Sequence, residues 1–196
     1  MALPGLAPRA PANRHEVVGR RAVFLDRDGV IIRAVVRNGK PYAAQSVAEL
    51  AILPGVPGAL QQLRAAGFVN VVATNQPDVG AGKLPRATVE AMHARLAQTL
   101  AIDAFKVCYH TEAEDCACRK PKPGMILDAA RELGLDVGKS FMVGDRWRDV
   151  GAARNAGCGL TGSASTSVTI SRTRTGELRS IRWMFPGRSR SSRKKR

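Results

Sequence analysis

The stretch RAVFLDRDGV, which runs from Arg21 to Val30, joins a short apolar run to two carboxylates and a glycine. The continuous apolar character of residues 22–25 predicts a strand that is buried on both faces of a sheet. Asp26 and Asp28 follow this strand one residue apart, so both carboxylates can reach one pocket. Two carboxylates this close repel each other unless a cation or a shared proton neutralises them. The stretch therefore fits a divalent-metal site beside a nucleophile, or else a solvated loop with two incidental acids.

Further apolar runs alternate with helical patterns along the chain. Strands are predicted at 68–73, 104–109 and 140–143, and helices at 54–67, 84–100, 123–134 and 147–156. This alternation predicts an α/β fold, a Rossmann-like parallel sheet with helices on both faces. A small β excursion is predicted after the first strand, around Asn38-Gly39, because this dipeptide is a strong hairpin signal.

Three polar residues stand at the ends of predicted strands: Asp26, Thr74 and Asp145. In a parallel α/β sheet the ligand site lies outside the carboxyl ends of the strands. The shared position of these residues favours a metal site beside a nucleophile over an incidental acidic loop.

Hydrolysis of a phosphate monoester requires a nucleophile, a cation on the phosphoryl oxygens and an acid for the leaving alkoxide. We expect Asp26 to attack and form an aspartyl-phosphate, and Asp28 to protonate the leaving oxygen and then activate water. The residues expected to bind the phosphate are Thr74, Asn75, Gln76, Arg119 and Lys120. The residues expected to hold Mg²⁺ are Asp26, Asp28 and Asp145, supported by Asp149 one helical turn further on.

Three of the four cysteines cluster with a histidine. Cys108-Tyr109-His110 is followed, after five residues, by Cys116-Ala117-Cys118. These four ligands are of the types that zinc prefers and leave no vacancy for water, so they predict a structural zinc that pins a loop. A group of buried thiols is the alternative. The spacing is typical of a metal site in a reducing compartment rather than a disulfide framework, and the protein is expected in the cytoplasm.

The whole set of motifs resembles the haloacid dehalogenase superfamily of phosphatases, subfamily IIIA. Asp26-Arg27-Asp28-Gly29-Val30 is similar to its first motif, and Thr74, Lys120 and Gly144-Asp145 with Asp149 are similar to the second, third and fourth. The resemblance implies a Mg²⁺-dependent phosphatase with a minimal cap.

Within that superfamily, the cysteine cluster and the run Cys-Arg-Lys-Pro-Lys-Pro-Gly-Met from Cys118 are similar to two groups. These are the D-glycero-D-manno-heptose 1,7-bisphosphate phosphatases and the histidinol-phosphate phosphatases. The Lys-Pro-Lys-Pro-Gly-Met run favours the heptose group, whereas the short gap between His110 and Cys116 resembles the histidinol group. The resemblance implies a small phosphorylated sugar as substrate, with histidinol phosphate as the alternative. The basic end of the chain suggests a nucleic-acid 3′-phosphate as a further alternative.

Most of the net charge of +15 lies at the end of the chain, because residues 161–196 contain ten Lys and Arg residues against a single acid, Glu177, and so carry +9. We expect a disordered N-terminal extension over 1–19, without the apolar core of a secretory signal, and a phosphatase domain over 20–160. Residues 161–196 are expected to form a basic, Ser- and Arg-rich disordered tail, which leaves open whether the last strand of the sheet is present.

A basic tail also permits a different interpretation, an inactive or damaged product whose tail binds nucleic acid. The tail lacks the interleaved aromatic residues that stack on bases, so nucleic acid is not an expected partner of the domain itself. No apolar run approaches the roughly 18 residues of a membrane span, and no membrane partner is expected. We expect a monomer.

Overall fold

The structure is a computed structural model and describes residues 19–37, 40–144, 146–161, 165–172 and 178–184. Its strands in these ranges are β1 (Arg21–Leu25), β2 (Val35–Arg37), β3 (Lys40–Tyr42), β4 (Phe68–Asn75), β5 (Ala104–Cys108), β6 (Phe141–Val143), β7 (Gly159–Thr161), β8 (Ser165–Arg172) and β9 (Leu178–Met184). Its α-helices are α1 (Val56–Ala65), α2 (Pro77–Gly80), α3 (Arg86–Thr99), α4 (Gly124–Leu133) and α5 (Trp147–Ala156).

The main sheet has the order β5-β4-β1-β6-β7, and all four strand pairs are parallel. The prediction of an α/β fold with a parallel sheet is therefore confirmed. Because β1 lies at the centre, between β4 and β6, the residues that follow it emerge in the middle of the carboxyl edge. Ligand sites of such sheets form at that edge.

Helices cover both faces of the sheet, and β1 supplies side chains to both cores. Val23 and Leu25 belong to a core that includes side chains of α1 and α3. Ala22 and Phe24 belong to a second core, which includes side chains of α4 and α5. These four residues of β1 are fully buried, as the uninterrupted apolar run predicts for a central parallel strand.

The last strand of the sheet is present, because β7 pairs in parallel with β6. Gly157 ends the preceding helix with a φ of 82°, a left-handed conformation that favours glycine, and the chain turns from α5 into β7. The sequence did not predict whether this strand is present, because a strand of three residues is too short to produce a periodic hydrophobic pattern.

The prediction of disorder over 161–196 is contradicted only where the structure describes this segment, at 161, 165–172 and 178–184, and stays a prediction for its other residues. Within this segment, β8 and β9 form an antiparallel pair. Thr166, Val168 and Ile170 alternate with serines and threonine, and this two-residue alternation of β-branched residues favours a strand even in a basic, serine-rich segment. The predicted extension over 1–19 lies outside the described residues apart from Gly19. Asn38 and Gly39 also lie outside them, and the strands on either side, β2 and β3, are paired.

Among the described residues, the structure has no helix with both the length and the apolar character that crossing a membrane requires.

Candidate active site

A cluster of buried polar residues lies at the carboxyl edge of the sheet. Asp26 directly follows β1, and its backbone N–H donates to the carbonyl of Val143 at the end of β6 over 3.0 Å. Thr74 lies at the end of the neighbouring strand β4. Asp26, Asp28 and Thr74 are each at most 7% exposed. The strand ends thus bring together the residues that the sequence placed there, except Asp145, which lies outside the described residues.

Lys120 is the cation at the centre of this cluster and is 3% exposed. Its Nζ lies 3.0 Å from Oδ1 of Asp26 and 2.5 Å from Oδ1 of Asp149, and it donates to the carbonyl of Ala73 over 2.8 Å. All three protons of the ammonium group therefore have an acceptor. Burial lowers the pKa of Lys120, but the charges of Asp26 and Asp149 outweigh that effect and raise it above the ordinary lysine value. The side chain is charged at neutral pH.

Asp149 lies in the first turn of α5, where its Oδ2 accepts from the backbone N–H of Arg146 over 3.1 Å. Gly144 makes this packing possible, because a Cβ at that position would lie 2.2 Å from the Cβ of Asp149. Burial, followed by the nearby charge of Asp26, raises the pKa of Asp149 above its ordinary value. Asp26 and Asp149 therefore share one ammonium group and retain an excess of negative charge.

Asp28 belongs to a second network beside the first. The side-chain amide of Gln76 donates to Oδ2 of Asp28 and to Oγ1 of Thr74, both over 2.9 Å. Asn75 contacts the backbone of Lys120 twice: its Oδ1 accepts from the N–H and its Nδ2 donates to the carbonyl, each over 3.1 Å. The two amide side chains predicted to bind phosphate thus have protein partners, and they fix the positions of an acid and of a lysine.

Two functional candidates escaped the sequence analysis: Arg27 and His93. Arg27 is fully buried, donates to the carboxylate of Asp28 and lies 3.2 Å from the Nε2 of His93. Two features of the sequence could have identified them. Arg27 is a basic residue next to a buried apolar run, and His93 lies four positions after Val89, on the apolar face of α3. A buried charged group needs hydrogen-bond or ion-pair partners, so the position of Arg27 between Asp26 and Asp28 indicated a role within the site.

A cleft of about 200 Å³ opens above Asp26 and Asp28. Its wall carries positive charge, from Arg119, Arg146 and Arg148 in addition to Lys120. The exposed Tyr42 at the end of β3 adds an aromatic ring to the rim. A small cleft with carboxylates at its base and guanidinium groups at its rim suits a small, anionic, polyhydroxylated ligand.

The four predicted zinc ligands converge at the end of β5, whose last residue is Cys108, and in the segment that follows it. The Nδ1 of His110 lies 3.3 Å from the sulfur of Cys118 and 3.7 Å from that of Cys108. The sulfur of Cys116 lies 3.6 Å from that of Cys108 and 3.3 Å from that of Cys118. Ligands about 2.0–2.3 Å from a tetrahedral zinc are separated by similar distances. The donor set and its spacing therefore fit a closed, four-coordinate metal site.

The cluster is connected directly to the cleft. Cys118 immediately precedes Arg119 and Lys120, and Nη1 of Arg119 donates to the carbonyl of His110 over 3.2 Å. Burial raises the pKa of the Cys108 thiol, so the thiolate form depends on a neighbouring positive charge. A divalent cation bound to the sulfur supplies such a charge.

Comparison with known proteins gives a family. The haloacid dehalogenase-like hydrolases match residues 34–157, a range that begins just after the Asp26–Gly29 stretch. A protein of Mycobacterium tuberculosis (strain ATCC 25618 / H37Rv) named D-glycero-alpha-D-manno-heptose-1,7-bisphosphate 7-phosphatase is 38% identical over 156 residues, which cover 74% of this chain and 78% of that protein. A Bordetella bronchiseptica protein named for the beta form of the same substrate is 38% identical over 143 residues, covering 70% and 77%.

Solved structures agree with these relatives. The D,D-heptose 1,7-bisphosphate phosphatase of B. bronchiseptica, complexed with magnesium and phosphate, superposes with a TM-score of 0.63 at 37% identity, covering 71% of this chain and 78% of that one. A HAD-like phosphatase of Mesorhizobium loti gives the same TM-score at 28% identity, covering 82% and 78%.

Proposed function

We propose, since the chain belongs to the haloacid dehalogenase-like hydrolase family, that it removes the 7-phosphate of D-glycero-D-manno-heptose 1,7-bisphosphate. It is a phosphoric monoester hydrolase. The observation that carries the proposal is the site itself, with Asp26 and Asp28 at the base of a small basic cleft and Lys120 bound to Asp26. Relatives 38% identical over about three quarters of their length, named for this substrate, support the choice of sugar.

In this proposal Asp26 attacks phosphorus in line with the ester oxygen and forms an aspartyl-phosphate. Its Oδ1 is bonded to the N–H of Arg27 over 2.8 Å and to Lys120, so we assign the attack to Oδ2. Asp28 gives its proton to the departing sugar oxygen. It then takes a proton from the water that attacks the phosphoenzyme, which returns both carboxyl groups to their starting state.

Lys120 stabilises negative charge that develops on the phosphoryl group, and Asp149 holds the lysine in place. Arg119 and the other guanidinium groups of the rim attract the dianionic ends of the substrate. Thr74 contributes its hydroxyl at the end of β4, fixed by the amide of Gln76. Each of these residues acts by position and charge, which is what phosphoryl transfer chiefly requires.

Mg²⁺ would be held by Asp26, Asp145 and Asp28, the last through its backbone carbonyl. The residues fit such an ion, because Asp26 and Asp149 share only one ammonium group and leave negative charge uncompensated. When bound, Mg²⁺ neutralises charge on the phosphoryl oxygens.

The substrate is tested by phosphate release at fixed enzyme concentration, with and without Mg²⁺. The panel contains the alpha and beta anomers of heptose 1,7-bisphosphate, histidinol phosphate and an oligonucleotide with a 3′-phosphate. We expect one heptose anomer to have the highest kcat/KM, by at least about tenfold, and release to depend on Mg²⁺. A higher kcat/KM for histidinol phosphate would contradict the proposed substrate and identify histidinol phosphate in its place. Phosphate release from the oligonucleotide alone would identify a nucleic-acid 3′-phosphate as the substrate.

We propose that zinc fills the cluster of Cys108, His110, Cys116 and Cys118. Metal analysis of the purified chain should find about one zinc per chain. Replacing Cys116 by serine should remove it, since serine is a poor zinc ligand, and should lower kcat/KM about tenfold or more by displacing Arg119 and Lys120. Reduced thiols of this kind fit a reducing compartment, and we place the protein in the cytoplasm.

The matched control for the zinc experiment is Cys158→Ser. Cys158 is buried, 8% exposed, and lies in the core of α4 and α5 outside the cluster, whereas Cys116 is partly buried. This variant should retain its zinc. Full zinc content in Cys116→Ser, or an equal loss in both variants, would contradict the assignment.

A further inference from the structure

Arg27 is a fully buried guanidinium group in a hydrolase site, and neither the phosphate chemistry nor the metal needs it directly. A charged side chain that is shielded from water needs hydrogen-bond or ion-pair partners, and the identity of these partners indicates its role. Here the partners are Asp28 on one edge and His93 on the other. The same guanidinium group therefore connects the proposed acid/base residue to helix α3.

The contact with Asp28 is a two-pronged one. Nε of Arg27 donates to Oδ2 over 3.1 Å and Nη2 donates to Oδ1 over 3.2 Å, while Nη2 also lies 3.0 Å from Oδ2. A planar fork that holds both oxygens fixes the rotation of the carboxylate as well as its distance. Gln76 adds a third donor to Oδ2, so the carboxyl plane of Asp28 has little freedom.

His93 holds the far edge of the same guanidinium group. It is 6% exposed, its ring stacks on that of Phe105 with centroids 4.6 Å apart, and its Nε2 lies 3.2 Å from Nη1 of Arg27. Burial, followed by the charge of Arg27, lowers the pKa of His93 to about 3. The imidazole is therefore neutral, and Nε2 accepts from Arg27.

A neutral acceptor suits this position for an electrostatic reason. A carboxylate in place of His93 would compete with Asp28 for the guanidinium group, and an apolar residue would leave an N–H of Arg27 without an acceptor in the core. An imidazole satisfies that N–H while the positive charge stays directed at Asp28.

We propose that Arg27, held by His93, is a positioning residue that fixes the carboxyl group of Asp28 at the angle required for proton transfer to the leaving oxygen. This assignment rests on the proposed phosphatase function. Neither residue lines the cleft. Both act through Asp28, so their loss should lower kcat and leave KM nearly unchanged.

The test compares His93→Leu with His93→Gln in steady-state phosphate release. Leucine fills similar space without an acceptor, and we expect kcat to fall about 10- to 100-fold with KM within about twofold. The Oε1 of glutamine can take the place of Nε2, and we expect His93→Gln to recover kcat to within about threefold of the wild type.

Leu96→Ala is the control, since it creates a cavity one turn further along the buried face of α3. It should lower the melting temperature and leave kcat within about twofold. A wild-type chain without phosphatase activity would overturn the proposed function and this assignment with it. An active wild type, together with a His93→Leu variant that is folded by circular dichroism and has unchanged kcat, would overturn this assignment alone. If the His93→Leu variant does not fold, His93→Gln decides: a kcat within about threefold of the wild type supports the assignment, and a larger loss of kcat overturns it.

Discussion

Replacing Asp26 by asparagine should lower the rate of Mg²⁺-dependent phosphate release by about 10⁴-fold or more. An amide is a poor nucleophile, so no aspartyl-phosphate forms, and the Mg²⁺ site loses a carboxylate at the same time. Losses of this size follow when the nucleophile of a covalent hydrolase is removed. The measurement is single-turnover phosphate release on the preferred heptose bisphosphate, with acid quenching to detect a phosphoenzyme that only the wild type forms.

The same substitution should not lower the melting temperature in Mg²⁺-free buffer. Asp26 and Asp149 compete for the single ammonium group of Lys120, and the charge of Asp26 contributes to the raised pKa of Asp149. Removing one of the two negative charges relieves that repulsion. An inactive but equally or more stable protein would identify Asp26 as a residue kept for chemistry.

Asp128→Asn is the control for Asp26→Asn. Asp128 forms an exposed pair with Arg131 on α4, and the chemistry does not involve it. Its replacement should leave the rate of phosphate release at the wild-type value and should change the free energy of unfolding by no more than about 0.5 kcal/mol. Turnover by Asp26→Asn within tenfold of the wild-type rate would contradict the proposed mechanism.

Replacing Lys120 by methionine should affect both stability and activity. The substitution leaves Asp26 and Asp149 buried without their cation, and breaking such a pair typically costs about 3–5 kcal/mol. Loss of a positive charge beside the phosphoryl group should lower kcat about 10²- to 10³-fold. Urea unfolding gives the first quantity and phosphate release the second.

Adding Asp149→Asn to Lys120→Met separates the two effects. The double variant should regain part of the lost stability, because one of the unpaired carboxylates has been removed, whereas kcat should stay low. We expect the double-mutant cycle on stability to give a coupling free energy of more than about 1 kcal/mol between Lys120 and Asp149, because the two side chains are in direct contact. Additive effects would contradict a direct contact between Lys120 and Asp149.

The pH dependence of stability has a definite sign. The folded-state pKa of Lys120 is raised above 10.5, so its contribution is fully present below that pH and is lost only as the pH rises through the folded value. Asp149 has a raised folded pKa, so the folded state binds its proton more tightly and gains stability as the pH falls through that value. The charge of Lys120 lowers the pKa of Asp149, so without it Asp149 should take up its proton at a higher pH than in the wild type. The stability deficit of Lys120→Met should therefore shrink as the pH falls.

Lys122→Met provides the matched lysine control. Lys122 lies two residues further along the chain and pairs with Asp115 in an exposed position. Exposed pairs contribute at most about 1 kcal/mol, so this variant should have wild-type activity and nearly wild-type stability. A deficit as large as that of Lys120→Met would show that charge alone, without burial, accounts for the effect.

Local patterns predicted much of the fold. The helix expected over 147–156 is Trp147–Ala156, and the one expected over 84–100 is Arg86–Thr99. These predictions succeed because a hydrophobic repeat of three to four residues is recorded in consecutive positions of the chain, and Gly157 marks the end of the helix Trp147–Ala156. The same patterns did not place β7 or the β8–β9 pair, because short or serine-rich strands carry weak periodic signals and depend on their partners.

The candidate site divides along a similar line. The sequence by itself determined the types of group at the edge of the sheet, a pair of aspartates, a Thr-Asn-Gln run, an Arg-Lys pair and a set of sulfur and nitrogen ligands. Only the tertiary structure decided that Lys120 bridges Asp26 and Asp149 and that Gln76 binds Asp28. It also placed His93 behind Arg27, 66 positions away in the chain. The hydrophobic periods of strands and helices are local properties of the sequence. The partner of a buried charged group, in contrast, is the group that folding brings within about 3 Å of it, so its identity depends on the whole fold.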